Sequence, residues 1–383
     1  MAMKNKNKDL IVISGYYGFN NCGDEAILSA MIHRFSQKVP KHKMVVLSKN
    51  PGQTKSKYQV DAIGRLDLLS LLKKLKKAQV LISGGGGLLQ DITGRGLSVS
   101  YYLGLILVAR ISNIPCIVFA QGIGPITKKW NKIMIKKIFN CVQSISVRDN
   151  ISKVLLTGLG IKREAITVHP DAAFLLGKKP VSRKTLSKYQ LEPLPSSLGK
   201  GAAIGMIVRN CPQIKKDYQN KIKQIARIAD HLIIKYQAKL IFIPFQRKNE
   251  TMMIHDILDY MSQSAKCFDE TLTPNQMLEF ISCFSLIVGM RYHAIIFATM
   301  THRPFIALNY DPKVHHFVTS IGYDKLLLDI EQLSISAVDE KLSYVEENLN
   351  EITSDLSRIN NQNKTQIFWH TEKILQFIRN ISD

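Results

Sequence analysis

Short apolar, β-branched runs recur along this chain, each followed by a longer segment of helical periodicity, and the series begins twice. In the first half the strand candidates are Leu10–Ser14, Met44–Ser48, Val80–Ser83, Cys116–Ala120, Ser144–Val147 and Ile166–Val168. Amphipathic segments such as Glu25–Gln37, Leu66–Lys77 and Asn131–Phe139 lie between them. The second half offers strands at Ala202–Val208, Leu240–Pro244, Leu286–Val288 and Phe305–Leu308. Its helices are expected at Asp217–Tyr236, Glu250–Ser262, Gln276–Cys283 and Tyr292–Thr299, with a mostly helical, polar tail after Asp311. Parallel strands need crossover helices, so this alternation predicts an α/β fold: two Rossmann-like domains facing a cleft. The expected boundaries are 1–176, a Lys-, Ser- and Pro-rich linker at 177–200, and 201–383 with a helical tail able to pack back on the first domain.

Ligands of such sheets bind beyond the carboxyl ends of the strands. Four post-strand segments therefore carry the functional reading. The first, "GYYGFNNCGDEAI", is a glycine loop opening a helix, the usual setting for a phosphate. Asp24 and Glu25 stand where the phosphate would sit; Asp24 is expected to cap the helix and Glu25 to suit its dipole. The second, "SGGGGLLQD", supplies Gly84, Gly85 and Gly86, which let backbone amides converge on a ligand; a tight turn is the alternative. The third, "QGIGPI" with "SISVRDN", puts Arg148 at a strand end. It either binds an anion or pairs with Asp149, itself suited to cap the next helix.

The fourth segment, "SLIVGMRYHAIIFATM", is the most informative. Arg291 and His293 follow a buried strand as a helix opens, joining a guanidinium fork for carboxylate or phosphate to an imidazole able to move a proton near neutral pH. Lys313 in "NYDPKVHHF" adds a further positive charge or is a solvated lysine, and Arg209 closes the strand at Ala202–Val208. No P-loop, HExxH, GxSxG or acidic metal pair is present, so no metal or cofactor is expected. The six cysteines are scattered without a CxxC pair, which fits reduced thiols of the cytoplasm.

These segments, in order and over about residues 10–320, resemble the polysaccharide pyruvyl transferase family. The matching stretches are "GYYGFNNCGDEAI", "ISGGGGLLQD", "QGIGP", "SVRD", "GMRYHA" and "NYDPK", and the likeness is greatest to the branch acting on N-acetylmannosamine of a bacterial cell-wall polymer. The resemblance implies a GT-B-like fold and phosphoenolpyruvate as co-substrate. The implied product is a pyruvate ketal on a sugar, with phosphate released. It implies that Arg148, Arg291 and Lys313 bind the donor's anionic groups, and that His293 transfers the proton or serves as a phosphate ligand. The opening loop then falls on the acceptor side, with Asn20, Asn21 and Tyr17 offering hydrogen bonds to the sugar. A nucleotide-sugar glycosyltransferase shares this fold and is the rival reading; it would need a carboxylate near the last cleft helix, where Ala294–Ala298 brings none.

The charge is unevenly placed. Residues 1–200 hold 32 Lys and Arg against 10 Asp and Glu, whereas residues 201–383 hold 20 of each. A polyanionic partner for the first half follows. "RLDLLSLLKKLKKAQ" and "KKWNKIMIKKIF" read either as basic amphipathic helices for an anionic membrane or as ordinary helices whose apolar faces enter the core. No RNA-binding signature appears. With Arg110, Asn113 and Pro115 interrupting the most apolar stretch, Tyr101–Phe119, no membrane span is expected. The expected place is therefore the cytoplasm, peripheral at the inner membrane face, next to a glycan acceptor on a lipid diphosphate.

Overall fold

The computed structural model describes residues 8–91, 97–191 and 198–382; the basic opening segment, residues 1–7, lies outside them. The chain divides into two compact units, residues 1–176 with 363–383, and residues 177–362.

The first unit holds a seven-stranded sheet of order β3-β2-β1-β4-β5-β6-β7. Its strands are β1 (Leu10–Tyr17), β2 (Met44–Ser48), β3 (Asp61–Gly64), β4 (Ala78–Gly84), β5 (Cys116–Gln121), β6 (Ser144–Val147) and β7 (Ile166–Val168). Every pairing is parallel. The helices are α1 (Cys22–Ser36), α2 (Pro51–Tyr58), α3 (Leu68–Lys76), α4 (Leu97–Ile111), α5 (Lys129–Phe139) and α6 (Asn150–Gly158). Leu71 and Leu75 of α3, Leu103 and Ile106 of α4, Ile135 and Phe139 of α5, and Leu156 of α6 enter one hydrophobic cluster with Val12, Leu81 and Val118 of the sheet. Four helices thus share one face of the sheet. β1 and β4 adjoin where the strand order reverses, the place where doubly wound sheets open for ligands.

The second unit repeats the pattern in a six-stranded parallel sheet of order β10-β9-β8-β11-β12-β13. Its strands are β8 (Ala203–Ile207), β9 (Lys239–Phe242), β10 (Lys266–Cys267), β11 (Leu286–Gly289), β12 (Phe305–Asn309) and β13 (Leu327–Asp329). The reversal falls between β8 and β11, paired from Leu286 opposite Ile204 to Gly289 opposite Ile207.

Of the segment expected as a linker, residues 192–197 lie outside the described residues, and residues 182–191 are anchored to the second unit. Residues 183–188 form α7 (Arg183–Lys188), N-capped by Ser182 and assigned to the second unit. Thr185 donates to Glu270 at 2.6 Å, Lys188 pairs with Asp269 at 2.6 Å, and Tyr189 and Leu191 are buried. The Lys-, Ser- and Pro-rich composition hid these anchors.

The last helix, Leu349–Ser382, is continuous. Ile352 and Leu356 are buried in its first part; Ile367, Thr371, Leu375 and Ile378, on residues assigned to the first unit, are buried in its second. There Arg34 donates to Thr371 at 3.3 Å and pairs with Glu372, while Gln79 donates to the Ile378 carbonyl. His370 stacks on His169 with centroids 3.8 Å apart, and its Nε2 lies 2.8 Å from Ser146 Oγ. Burial, then the neighbouring positive charges, pushes the His370 pKa down to about 3 and that of His169 to about 4, so both rings are neutral at pH 7. All six cysteines are free thiols. No helix among the described residues is long and apolar enough to cross a membrane.

Candidate active site

The candidate residues divide between the units. Arg209, Arg291, His293 and Lys313 belong to the second; Asn20, Asn21, Gly84, Gly85, Gly86 and Arg148 belong to the first.

In the second unit the carboxyl ends of β8, β11 and β12 lie side by side, so their post-strand residues meet. Arg209, two residues beyond β8, donates from Nη1 to the Tyr310 hydroxyl at 2.7 Å, and its backbone N–H meets Met290 Sδ at 3.3 Å. Burial opposes its charge, but Tyr310, Glu250 and Asp311 outweigh that and raise its pKa. Arg291 stands at the N-cap of the helix Tyr292–Met300 and is buried. Its Nε donates to Glu250 Oε1 at 2.6 Å and its Nη2 to Gln246 Oε1 at 3.2 Å. Glu250 has no solvent exposure, and its second oxygen accepts the Gln246 N–H at 2.8 Å. A buried guanidinium is stable only when so paired.

His293 lies in the first turn of that helix, partly exposed, with its ring edge-to-face against Tyr292. Lys313 sits in the first turn of the helix Pro312–Ser320, which Asp311 caps by accepting the Lys313 N–H at 3.1 Å. The Asp311 carboxylate also lies 3.0 Å from Lys313 Nζ. Burial would raise the Asp311 pKa, but the Lys313 ammonium and N–H reverse this and lower it. Around this group the amide oxygens of Asn210, Gln213 and Asn309 are buried without a hydrogen-bond partner. Such unsatisfied polar atoms are rare in folded chains and call for an explanation at a site.

In the first unit Arg148 is nearly enclosed, with Nη1 3.5 Å from Asp171 and Nε 3.6 Å from Asp149. A Cβ on Gly122 would come within 2.6 Å of its guanidinium, so the glycine is what admits it. Asp149 also caps α6 through Ser152 N–H.

Three expectations for the first unit change. Asn21, not Asp24, caps α1: its Oδ1 accepts the Gly23 N–H at 3.2 Å. The Asn21 oxygen is thereby committed to the helix, and Asp24, one turn on, is placed against the glycine loop instead. Tyr17 is buried and donates to the Gly84 carbonyl at 2.8 Å, so its hydroxyl serves the fold. Gly84 and Gly85 are buried against α1: added Cβ atoms would lie 2.8 Å from Met31 and 2.1 Å from Ile27. Their lack of side chains lets the helix approach, and Gly85 also holds a φ of +67°. Gly86 is buried beside Asp24, and the loop opens to solvent at Gly87, where an added Cβ would lie 3.7 Å from the Arg148 guanidinium. Asn20 is exposed in the left-handed region, φ 56°.

Glu25 does more than suit a dipole. It is buried, accepts from Gly18 N–H at 2.9 Å and Tyr58 Oη at 2.5 Å, and pairs with Lys57. The residues that sequence reasoning missed are Glu250, Tyr310 and Asp171. Glu250 left a signal, since it shares the core-facing stripe of its helix with Met253, Ile254 and Ile257. Among the described residues no three His, Cys, Asp or Glu side chains are grouped to hold a metal ion.

Comparison with known proteins gives the family and the fold. Residues 21–312 match the polysaccharide pyruvyl transferase family. The amylovoran biosynthesis protein AmsJ of Erwinia amylovora is 22% identical over 299 residues, 74% of this chain and 69% of that protein. Among solved structures, Anabaena HepE in complex with UDP-glucose superposes with a TM-score of 0.63 at 12% identity, over 96% of this chain and 99% of that one. A UDP-GlcNAc 2-epimerase of Neisseria meningitidis bound to UDP-GlcNAc gives 0.60 at 13%, over 96% and 100%. A Rickettsia africae glycosyltransferase gives 0.61 at 12%, over 97% and 99%. The fold is therefore of the GT-B type shared by glycosyltransferases and epimerases. The chain belongs to the polysaccharide pyruvyl transferase family and is a transferase.

Proposed function

We propose that this member of the polysaccharide pyruvyl transferase family takes its pyruvyl group from phosphoenolpyruvate and places it on a sugar, N-acetylmannosamine, of a cell-wall polysaccharide or its lipid-linked precursor. The observation that carries the reading is the cationic group at the ends of β8, β11 and β12: Arg209, Arg291 and Lys313, with His293 in the same helix start as Arg291. A donor bearing a carboxylate and a phosphate needs several cations, and guanidinium forks suit both groups.

His293 protonates the methylene carbon of the enol, which becomes the methyl group and leaves an oxocarbenium-like carbon. One sugar hydroxyl adds to that carbon, the C–O bond to phosphate breaks, and a second hydroxyl closes the ketal. Of the two hydroxyl protons, one replaces the proton given to carbon and the other leaves with phosphate. Fixed cations oppose the charge that gathers on the departing phosphate without reorganising, the usual source of the largest rate gains. Arg148 of the first unit, paired with Asp171 and admitted by Gly122, is a further cation suited to an anionic group of the substrates.

The similar structures in complex with UDP-sugars suggest the rival, a nucleotide-sugar glycosyltransferase. One assay separates the two. Phosphate release from phosphoenolpyruvate, dependent on an added lipid-linked or synthetic N-acetylhexosamine disaccharide, supports pyruvyl transfer. No release with any such acceptor, together with turnover of a nucleotide sugar, supports the rival.

A further inference from the structure

The outer face of the first unit's helical layer does not look like an ordinary soluble surface. α3, α4 and α5 each bury one stripe in a common core cluster and leave a second apolar stripe in solvent. On α3 and the residues before it, Leu66 is 81% exposed and Leu69 74%, with Leu68 and Leu72 beside them. On α4 the stripe is Leu107 and Ile111, and on α5 it is Trp130, 68% exposed, and Ile133. Spacings of three and four residues put Leu69 with Leu72, Leu107 with Ile111 and Trp130 with Ile133 on one side of each helix, and Leu66 lies just before the Asp67 cap of α3. Of the residues in α3, Leu71 and Leu75 enter the core, as one of the two sequence readings has it, and their neighbours do not.

Single exposed leucines need no explanation, but eight exposed apolar side chains on three segments of one layer do. Its chemistry identifies the partner. Segments 65–77, 97–111 and 128–139 contain eleven Lys and Arg and a single acid, Asp67. Lys73, Lys76 and Lys77 border the leucines of α3; Lys128, Lys129, Lys132, Lys136 and Lys137 surround Trp130; all eight are exposed. A second protein would have to supply an acidic rim for so many lysines, and a second copy of this basic face would repel the first. An anionic bilayer meets both demands at once. Leucine, isoleucine and tryptophan enter the headgroup boundary while lysines reach the lipid phosphates.

The geometry points to this helical face as the docking surface of the protein on an anionic lipid bilayer. The binding is independent of the transfer chemistry, so it is read without donor or acceptor. The full chain is mixed with vesicles of phosphatidylcholine alone or with phosphatidylglycerol, at low and moderate salt, and sedimented. In a Trp369→Phe background, Trp130 emission is followed in parallel. The expected result is binding to the anionic vesicles, weakened by salt, with a blue shift of Trp130. Leu69→Ser combined with Ile133→Ser should weaken it about tenfold, since each removes buried apolar contact. Lys132→Glu with Lys136→Glu should do the same at low salt and less at high salt, while Lys223→Glu in the second unit should leave binding unchanged. Because every changed residue is exposed, thermal unfolding should not move. No preference for anionic vesicles overturns the proposal, as does equal binding by the variants, or concentration-dependent dimerisation that the same substitutions abolish. Phosphate release on a soluble acceptor should persist in these variants, which separates failure here from failure of the pyruvyl-transfer reading.

Discussion

Arg291 is held by Glu250, a carboxylate with no exposure to solvent, and the pair sits immediately beyond β11. Glu250 fixes the guanidinium and in return is neutralised by it. Replacing Glu250 by Ala leaves a buried, unpaired cation. We expect a loss of about 3–5 kcal/mol in urea unfolding, the usual consequence of breaking a buried pair. Glu250→Gln retains the shape and one hydrogen-bond acceptor, so its stability should fall less, while turnover drops because Arg291 loses its fixed orientation.

His293 contributes little to packing, being partly exposed at a helix start. His293→Ala should therefore keep its melting temperature within a few degrees while turnover falls by about 10²–10⁴, the range for a positioned acid or base. Steady-state phosphate release is the measurement. Near wild-type turnover would remove the residue from proton transfer, and a raised KM at unchanged kcat would make it a phosphate ligand.

Gly85→Ala places a methyl group 2.1 Å from Ile27 Cγ2 on a backbone with φ +67°. Overpacking of this kind costs about 1–3 kcal/mol. Shortening the neighbour, as in Gly85→Ala with Ile27→Ala, relieves the clash, so the double variant should lose less than the two single losses added together. The strain at φ > 0 stays, and with it part of the loss.

The stacked histidines make stability depend on pH. His370 and His169 have native pKa values lowered to about 3 and about 4, whereas the unfolded chain protonates near 6.5. Above pH 6.5 neither state binds the proton and the native state has its full margin. As pH falls below 6.5 the unfolded state gains protons that the native state refuses, so stability declines until the native pKa values are reached. His370 should supply about 1.4 kcal/mol per pH unit over that window, with a smaller, solvent-screened share from His169. Urea midpoints at pH 7.5, 6 and 5 should fall in that order, and His370→Phe should flatten the trend.

Much of the fold was legible in the chain because the strands are short β-branched runs set between longer helical segments. β2, β6 and β7 lie where the runs Met44–Ser48, Ser144–Val147 and Ile166–Val168 put them. The strands that escaped are short and mixed: β3 is Asp-Ala-Ile-Gly, and β10 and β13 are edge strands of two and three residues. α4 escaped because apolar residues surround it, so no polar face betrays its period. At the site, the residue types after each strand were readable and their partners were not. Asn21 and Asp24 are equally good caps by chemistry; in the structure the helix starts at Cys22, with the Asn21 oxygen on the Gly23 N–H. Glu250 finds Arg291 across 41 residues, a pairing that no local pattern encodes.

The last helix gives the order of biosynthesis a role in folding. The first unit is made of residues 1–176 and residues 363–383, so all seven strands of its sheet leave the ribosome long before the helical piece that completes the unit. Until Ile367, Leu375 and Ile378 arrive, the groups they cover stay open to water, and Arg34 and Gln79 lack Glu372 and the Ile378 carbonyl. The nascent first unit must wait for the whole of the second to be translated. A chain stopped even twenty residues early would thus lose closure of the unit made first rather than the one made last.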